Sequence, residues 1–158
     1  ETTRTVIAWT ILNLISNPAE MMKLRNGADL TVAGEEMIRY VTPIHNMCRV
    51  AKVDAEVNGV TIPKGNQVVL MYSSANRDEA HFDRPEEFLV DRTPSNHISF
   101  GFGTHLCIGA NLARVVLTAV FRELALRATQ LEVVTEPDVE ANIFARAVRS
   151  FQIRVTPR

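Results

Sequence analysis

The chain has 158 residues, enough for one domain with a sizeable core, and its 17 Lys and Arg nearly balance its 18 Asp and Glu. The formal net charge of −1 gives no electrostatic case for nucleic-acid binding, and no apolar run approaches the ~20 residues that span a membrane. Two distant cysteines, Cys48 and Cys107, do not suggest a disulfide framework, so a reducing, cytoplasmic setting is the default expectation.

Two helices are predicted at the start of the chain. Apolar residues nearly encircle the first, over residues 2–15, which predicts a helix buried on most sides. Asn17 suits an N-cap and Pro18 a first helical residue, so a second helix is expected to begin there and to run to about Arg25.

A third helix is predicted over residues 30–40. It places Glu36 and Arg39 three residues apart on one face. From spacing alone, such a pair is most often solvated and contributes a few tenths of a kcal/mol.

A strand-rich region follows, with β-type composition at 48–53, 55–57 and 67–72. Asn58 and Gly59 form the strongest short signal for a hairpin turn. Arg49 is a cation inside a strand that is otherwise apolar on one side, so it is expected to face an anion. The alternative is an edge charge that faces water.

The second half of the chain contains a long connection, a helix and further strands. The polar connection runs over 76–99, and long ordered loops tend to be functional. Its His81 and His97 are expected to be hydrogen-bonded structural residues rather than ligands. A helix is predicted over 108–126, and strands of a small antiparallel sheet at 131–134, 142–148 and 151–155. The predicted class is mainly α with small β-sheets, α+β.

The stretch 100–114 carries the clearest chemical signal. Gly101 and Gly103 suit a tight turn with positive φ, and Cys107 follows just before the predicted helix. Backbone N–H groups at a helix start stabilise a thiolate, which is a nucleophile or a metal ligand. A buried structural cysteine is one alternative, and zinc bound by Cys107 with His97 and His105 is another, although no Cys-x-x-Cys accompanies them. The pattern matches neither phosphate-binding glycine motif.

The run Phe-Gly-Phe-Gly-Thr-His-Leu-Cys-Ile-Gly at 100–109, followed by Leu-Ala-Arg at 112–114, resembles the haem-binding loop of cytochromes P-450. His105 and the sequence Ser-Ala-Asn-Arg-Asp at 74–78 favour the soluble bacterial type. The resemblance implies that residues 1–158 are the C-terminal haem-binding portion of a longer single domain, with the N-terminal portion absent. It implies haem b (iron protoporphyrin IX) as the cofactor, with Cys107 as the axial thiolate.

The resemblance also assigns contacts to the haem. Arg49 and His105 match the partners of its two propionates, and Phe100 matches a residue that packs beside the thiolate. The full set of implied cofactor-binding residues is Arg49, Phe100, Gly101, His105, Cys107, Ile108, Gly109 and Ala113.

The resemblance also assigns roles to two further pairs of residues. Glu1 and Thr2 match the acid and alcohol that deliver protons to iron-bound dioxygen, although both are also ordinary first-turn residues. Glu36 and Arg39 match a buried pair ahead of the haem. Glu87 stands where the family often has the third, arginine, member of that group, so this partner is left open, with Arg92 as a candidate.

The implied reaction inserts one oxygen atom of O2 into a C–H bond of a small apolar substrate. Electrons would come from NAD(P)H through a ferredoxin-type partner. The residues expected at the substrate are Ile44, His45, Met47 and Phe144. The alternatives are a haem-thiolate enzyme of the same fold that uses peroxide or needs no external electrons, and an inactive fragment that binds haem poorly.

Overall fold

The fold, seen in a computed structural model that describes residues 1–158, combines five helices with six strands in three two-stranded antiparallel sheets. The helices are α1 (Thr2–Ser16), α2 (Pro18–Arg25), α3 (Leu30–Val41), α4 (Tyr72–Ala75) and α5 (Ala110–Arg127). The strands are β1 (Asn46–Val50), β2 (Ala55–Val57), β3 (Val60–Ile62), β4 (Gln67–Met71), β5 (Ala128–Val139) and β6 (Val148–Pro157). The predicted class, mainly α with small sheets, is confirmed.

The hydrophobic core lies where α1, α2, α3 and α5 pack together. Helix α3 buries Ala33, Met37 and Val41 along one stripe because these positions are four apart and share a helix face. Leu117 and Phe121 of α5 meet this stripe, and each is 1% exposed. Burying a large apolar side chain in this way stabilises the fold by about 1.5–3 kcal/mol. None of the helices combines the length and the apolarity needed to cross a bilayer.

Helix α1 has no exposed apolar side chain, as its composition predicts. Thr5, Val6, Thr10 and Leu14 are buried, while Ile7 and Trp9 are half-buried against the core. Residues 5–15 are all buried or half-buried, so the enclosure expected for this helix is found.

Asn17 occupies the N-cap position of α2, as predicted, but its side chain serves α1. Its side-chain amide donates to the Asn13 carbonyl at 2.9 Å and so closes α1, and it makes no side-chain cap for α2. The start of α2 at Pro18 and its end at Arg25 are as predicted.

The β1–β4 and β2–β3 pairs sit beside the helical core. Strand β1 pairs with β4 so that Arg49 lies opposite Val68, and it ends at Val50, three residues earlier than predicted. The β2–β3 hairpin turns at Asn58 and Gly59, whose φ angles of +49° and +78° suit the left-handed turn that this dipeptide predicts.

The C-terminal sheet has two strands, not three. Strands β5 and β6 pair directly with several register irregularities. The predicted strand at 142–148 is wrong: apart from Val148, which begins β6, this segment forms only an isolated bridge between Ala145 and Ile44. The bridge places residues 142–146 against the segment that precedes β1.

The long connection between α4 and α5 has no helix or strand except a short 3₁₀ turn at Gly103–His105. Side-chain carboxylates hold it in place. The Leu89 N–H donates to Glu36 at 2.9 Å, and the Val90 N–H donates to Glu20 at 2.8 Å. Val90 is fully buried, so the connection contributes to the core despite its irregular backbone.

Candidate functional site

A cavity of about 650 Å³ opens between the start of α1, the start of β1 and the N-terminal half of α5. Its walls are mostly apolar, and no Asp or Glu lines it. The lining residues that the sequence analysis singled out are Thr2, Ile44, Met47, Arg49, Phe100, Gly101, His105, Cys107, Ile108, Gly109 and Ala113. Residues far apart in the chain are thus brought together around one space.

The loop that presents Cys107 is shaped by its glycines. Gly101 has φ +73°, and a Cβ there would lie 3.2 Å from the His105 carbonyl oxygen, so a side chain would be both strained and tightly packed. The Cys107 N–H donates to the Phe100 carbonyl at 2.8 Å, which closes the loop. Cys107 lines the cavity, is exposed and has no disulfide partner.

The helix after the thiol begins slightly later than predicted. Gly109 occupies its N-cap position, and α5 starts at Ala110, whose N–H donates to the Cys107 carbonyl at 3.2 Å. The start of α5 still lies beside the cysteine. Ile108 and Leu112, next to the thiol, are 106% and 69% exposed, so this wall presents apolar side chains to the open space.

The two basic residues of the cavity are Arg49 and His105. The Arg49 guanidinium donates only to the neighbouring Cys48 carbonyl, at 2.9 Å, and pairs with no carboxylate. A cavity with a cation, no acid and apolar walls suits a flat apolar ligand with anionic groups at its edge.

Several predicted residues lie outside the cavity. The Glu1 carboxylate is 83% exposed and pairs with Arg4 at 2.7 Å, and the hydrogen bond and charge of Arg4 lower the pKa of Glu1. His45 lines a separate, smaller pocket, and Phe144 lines neither space. Phe144 instead accepts a backbone hydrogen bond from His45 at 2.8 Å through its carbonyl.

Glu36 and Arg39 form a buried pair rather than the solvated pair that spacing alone predicts. Both side chains are 0% exposed, and Arg39 donates to both carboxylate oxygens, at 2.6 and 2.9 Å. Arg92 donates to the same carboxylate at 3.0 Å and is the third member, the partner that the sequence left open. Arg39 also donates to the Asn76 and Pro85 carbonyls, so the cluster ties α3 to the long connection.

A second polar cluster lies behind Phe100, and the sequence analysis missed it. Glu35 accepts from Arg114 at 2.6 Å and contacts the His97 ring nitrogen at 3.1 Å. Burial alone would raise the pKa of Glu35, but the hydrogen bonds and charges of His97 and Arg114 outweigh it and lower the pKa to about 2. The Arg114 guanidinium stacks on the Phe100 ring at 4.7 Å. The one sequence signal that could have suggested Glu35 is its position close to Arg39 on the same predicted helix.

The zinc arrangement considered for Cys107 is not formed. No group of three or more His, Cys, Asp or Glu side chains lies close enough to hold a metal ion. His97, one of the three candidate ligands, is engaged with Glu35.

Comparisons with known proteins agree with this geometry. The family model described as Cytochrome P-450 matches residues 1–151. The chain is 36% identical to linalool 8-monooxygenase of Pseudomonas putida and 38% identical to a steroid C26-monooxygenase of Mycobacterium tuberculosis, covering 100% and 99% of this chain. It spans 39% and 43% of the lengths of those two relatives.

The solved structures give the same result. The crystal structure of P-450 OxyD, involved in the biosynthesis of vancomycin-type antibiotics, superposes with a TM-score of 0.93 at 38% identity, over 100% of this chain and 41% of that one. P-450BioI, solved with an acyl carrier protein that carries hexadec-9Z-enoic acid, gives a TM-score of 0.93 at 35% identity, over 99% and 41%. The chain belongs to the cytochrome P-450 family.

Proposed function

We propose that these residues form the C-terminal haem-binding portion of a haem-thiolate monooxygenase that oxidises an apolar organic substrate. The observation that carries the proposal is the position of Cys107. It lines a cavity whose walls are mostly apolar and contain no Asp or Glu, and the glycines of its loop leave space beside it because they carry no side chain. A thiolate ligand to haem iron favours O–O cleavage, which is the chemistry that the cofactor supplies when bound.

The residues around the cavity fit a haem. Cys107 offers one soft anionic ligand, and Leu112, Ala113 and Phe100 offer an apolar surface beside it. Arg49 and His105 would hold the two propionates, since Arg49 has no carboxylate partner of its own. Gly101 and Gly109 would leave space beside the thiolate.

Proton delivery is assigned to Thr2, whose side chain lies at the cavity. Its hydroxyl can hold a water and pass a proton toward the reacting centre. Glu1 would join this relay only after it leaves Arg4, because its carboxylate points to solvent.

The substrate wall is assigned to Ile44 and Met47, which line the same cavity. Two relatives are named for action on linalool and on steroids, both largely hydrocarbon molecules, and this supports an apolar substrate. His45 and Phe144 have no place in that wall. We place the protein in the bacterial cytoplasm, with electrons from NAD(P)H through a ferredoxin-type donor.

The carbon-monoxide difference spectrum of the reduced, haem-loaded protein tests the assignment. We expect the red-shifted Soret band of a thiolate-ligated haem. Cys107→Ser should abolish this band, and Cys48→Ser is the matched control, because Cys48 lies on β1 and does not line the cavity. A band typical of imidazole-ligated haem, or retention of the thiolate band in Cys107→Ser, would refute the proposal. Failure to take up stoichiometric haem would support the inactive-fragment alternative.

One observation favours the second candidate, an enzyme that uses peroxide in place of O2 and external electrons. The predicted acid of the proton relay, Glu1, is not at the cavity. Product formation with hydrogen peroxide alone would support this candidate. Strict dependence on NAD(P)H and a ferredoxin would reject it.

A further inference from the structure

A second, smaller pocket of about 200 Å³ lies beside the cavity and has a different chemistry. The segment that leads into β1 contributes to both spaces. Pro43 and Ile44 line the cavity, whereas the next residue, His45, lines the smaller pocket with Arg77 and Arg146. No Asp or Glu lines the smaller pocket, so its charged side chains are all basic.

Arg146 is the residue that lacks a partner. Its guanidinium stacks over the Trp9 ring at 4.3 Å, while the Trp9 indole N–H donates to the Arg146 carbonyl at 3.0 Å. Burial lowers the pKa of Arg146, and the only opposing contribution comes from Tyr40. The guanidinium makes no hydrogen bond to another residue and pairs with no carboxylate. It is thus a partly desolvated cation whose donor groups are free.

Arg77 adds a second positive charge to the pocket. Its two terminal nitrogens donate to the Tyr40 carbonyl at 2.6 Å and the Arg39 carbonyl at 3.4 Å, which fixes the guanidinium in place and leaves one N–H free on each of them. Its single acidic partner, Glu86, lies 3.3 Å away, is 80% exposed and does not line the pocket. Burial and the nearby Arg39 lower the pKa of Arg77. Of the two half-buried guanidiniums, only that of Arg77 has a carboxylate partner, and this partner is screened by solvent.

Two neutral groups complete the pocket. Burial and the charge of Arg146 lower the pKa of His45, so near neutral pH its ring is uncharged and offers one N–H donor. The Ser73 side chain makes no hydrogen bond to another residue, and its hydroxyl is free to donate. The pocket thus gathers several hydrogen-bond donors and contains no anionic side chain that could accept from them.

We propose that this pocket binds a small oxyanion, a phosphate or a carboxylate group, between Arg146 and Arg77. A planar guanidinium presents two parallel N–H donors that match two oxygens of such a group, and charge-assisted hydrogen bonds of this kind are the strong ones. Stacking on Trp9 holds the Arg146 fork in one orientation, which reduces the entropy lost on binding.

The bound anion would also reach the wall of the large cavity. The Arg146 N–H donates to the Pro43 carbonyl at 3.1 Å, and the His45 N–H donates to the Phe144 carbonyl at 2.8 Å. An anion that joins the Arg146 and His45 side chains would therefore tighten the same contact between segments. Since Pro43 and Ile44 form part of the cavity wall, occupancy of the small pocket would hold that wall in place.

Trp9 is the only tryptophan of the chain, and it reports on the site directly. Its fluorescence is followed while inorganic phosphate, or separately acetate, is added at constant ionic strength against potassium chloride. We expect a saturable change with at least one of the two oxyanions and none with chloride. The anion that saturates identifies a tetrahedral or a planar ligand.

Single substitutions show which residues are needed for the change in Trp9 fluorescence. Arg146→Gln should weaken the apparent affinity about tenfold or more, as expected for loss of a charge-assisted contact. Arg149→Gln is the matched control, because it removes an arginine of the same hairpin whose side chain is 62% exposed. Ser73→Ala removes only a hydroxyl and should weaken binding severalfold without loss of the fold, which circular dichroism checks. Absence of a saturable change with both oxyanions overturns the proposal, as does equal affinity in Arg146→Gln and Arg149→Gln. Neither result bears on haem binding.

Discussion

Replacing Glu36 by glutamine removes the one carboxylate that two buried guanidiniums share. The carboxylate accepts four hydrogen bonds: two from Arg39, at 2.6 and 2.9 Å, one from Arg92 at 3.0 Å and one from the Leu89 N–H at 2.9 Å. Glutamine keeps one acceptor oxygen and turns an NH₂ group toward donors. Arg39, 0% exposed, then retains its charge with no anion beside it.

The expected cost is set by this burial. Removing one partner of a buried ion pair destabilises a protein by about 3–5 kcal/mol, because the remaining charge stays desolvated. With a urea m-value of about 1–3 kcal/mol/M, the unfolding midpoint should fall by about 1 M or more. Urea titration followed by far-ultraviolet circular dichroism measures this shift.

Glu87→Gln is the control for Glu36→Gln. Its carboxylate is 52% exposed and pairs with Arg84 at 3.2 Å, at the same i, i+3 spacing as the buried pair. Its carbonyl, which accepts from Arg39 and Arg92, is unchanged by the substitution. We expect a loss of about 1 kcal/mol or less. If the two variants lose stability equally, the reasoning from burial fails.

Two further predictions concern the loop around Cys107. The pKa of Glu35 is lowered to about 2, so its carboxylate stabilises the fold above its ordinary value of 4.5 and this contribution is lost as the pH falls toward 2. This contribution to the free energy of unfolding is at most about 3 kcal/mol, since the Glu35 side chain is 22% exposed and partly screened by solvent. In urea titrations, the difference in stability between wild type and Glu35→Gln should therefore disappear between pH 5 and 2.5. A difference that does not depend on pH would contradict this. Gly101→Ala and Gly103→Ala should each lower the free energy of unfolding by about 1–2 kcal/mol, because φ is positive at both positions. The loss should be larger for Gly101→Ala, because a Cβ there meets the His105 carbonyl, whereas a Cβ at Gly103 has no atom within 4 Å. Equal midpoints for the two variants would show that the loop yields without cost.

The sequence predicted those parts of the fold that local chemistry determines. The start of α2 followed from Pro18, and the β2–β3 hairpin from Asn58 and Gly59. The strand expected at 142–148 failed, because the backbone of this segment makes a single bridge and a few hydrogen bonds to residues 43–46 and no continuous ladder. Local pattern cannot distinguish these two arrangements.

The candidate site was likewise predicted where a local motif determines it and missed where contacts with distant residues determine it. A specific motif identified the loop that holds Cys107, and the cavity gathers most of the residues expected beside it. Spacing alone made Glu36 and Arg39 a surface pair, because their burial depends on partners such as Arg92, 56 positions from Glu36. Glu35 was missed for the same reason, since its partner His97 is 62 positions away. His45 and Ile44 are neighbours in sequence but line different pockets, which only the path of the backbone reveals.

The long connection shows that irregular backbone need not be loosely attached. Its Leu89 and Val90 amides hydrogen-bond to carboxylates of α3 and α2, and not to one another or to a strand. Exchange of these amides with solvent requires those hydrogen bonds to break. We therefore expect this segment, which has no repeating structure, to be protected and to unfold together with the helices that supply the carboxylates.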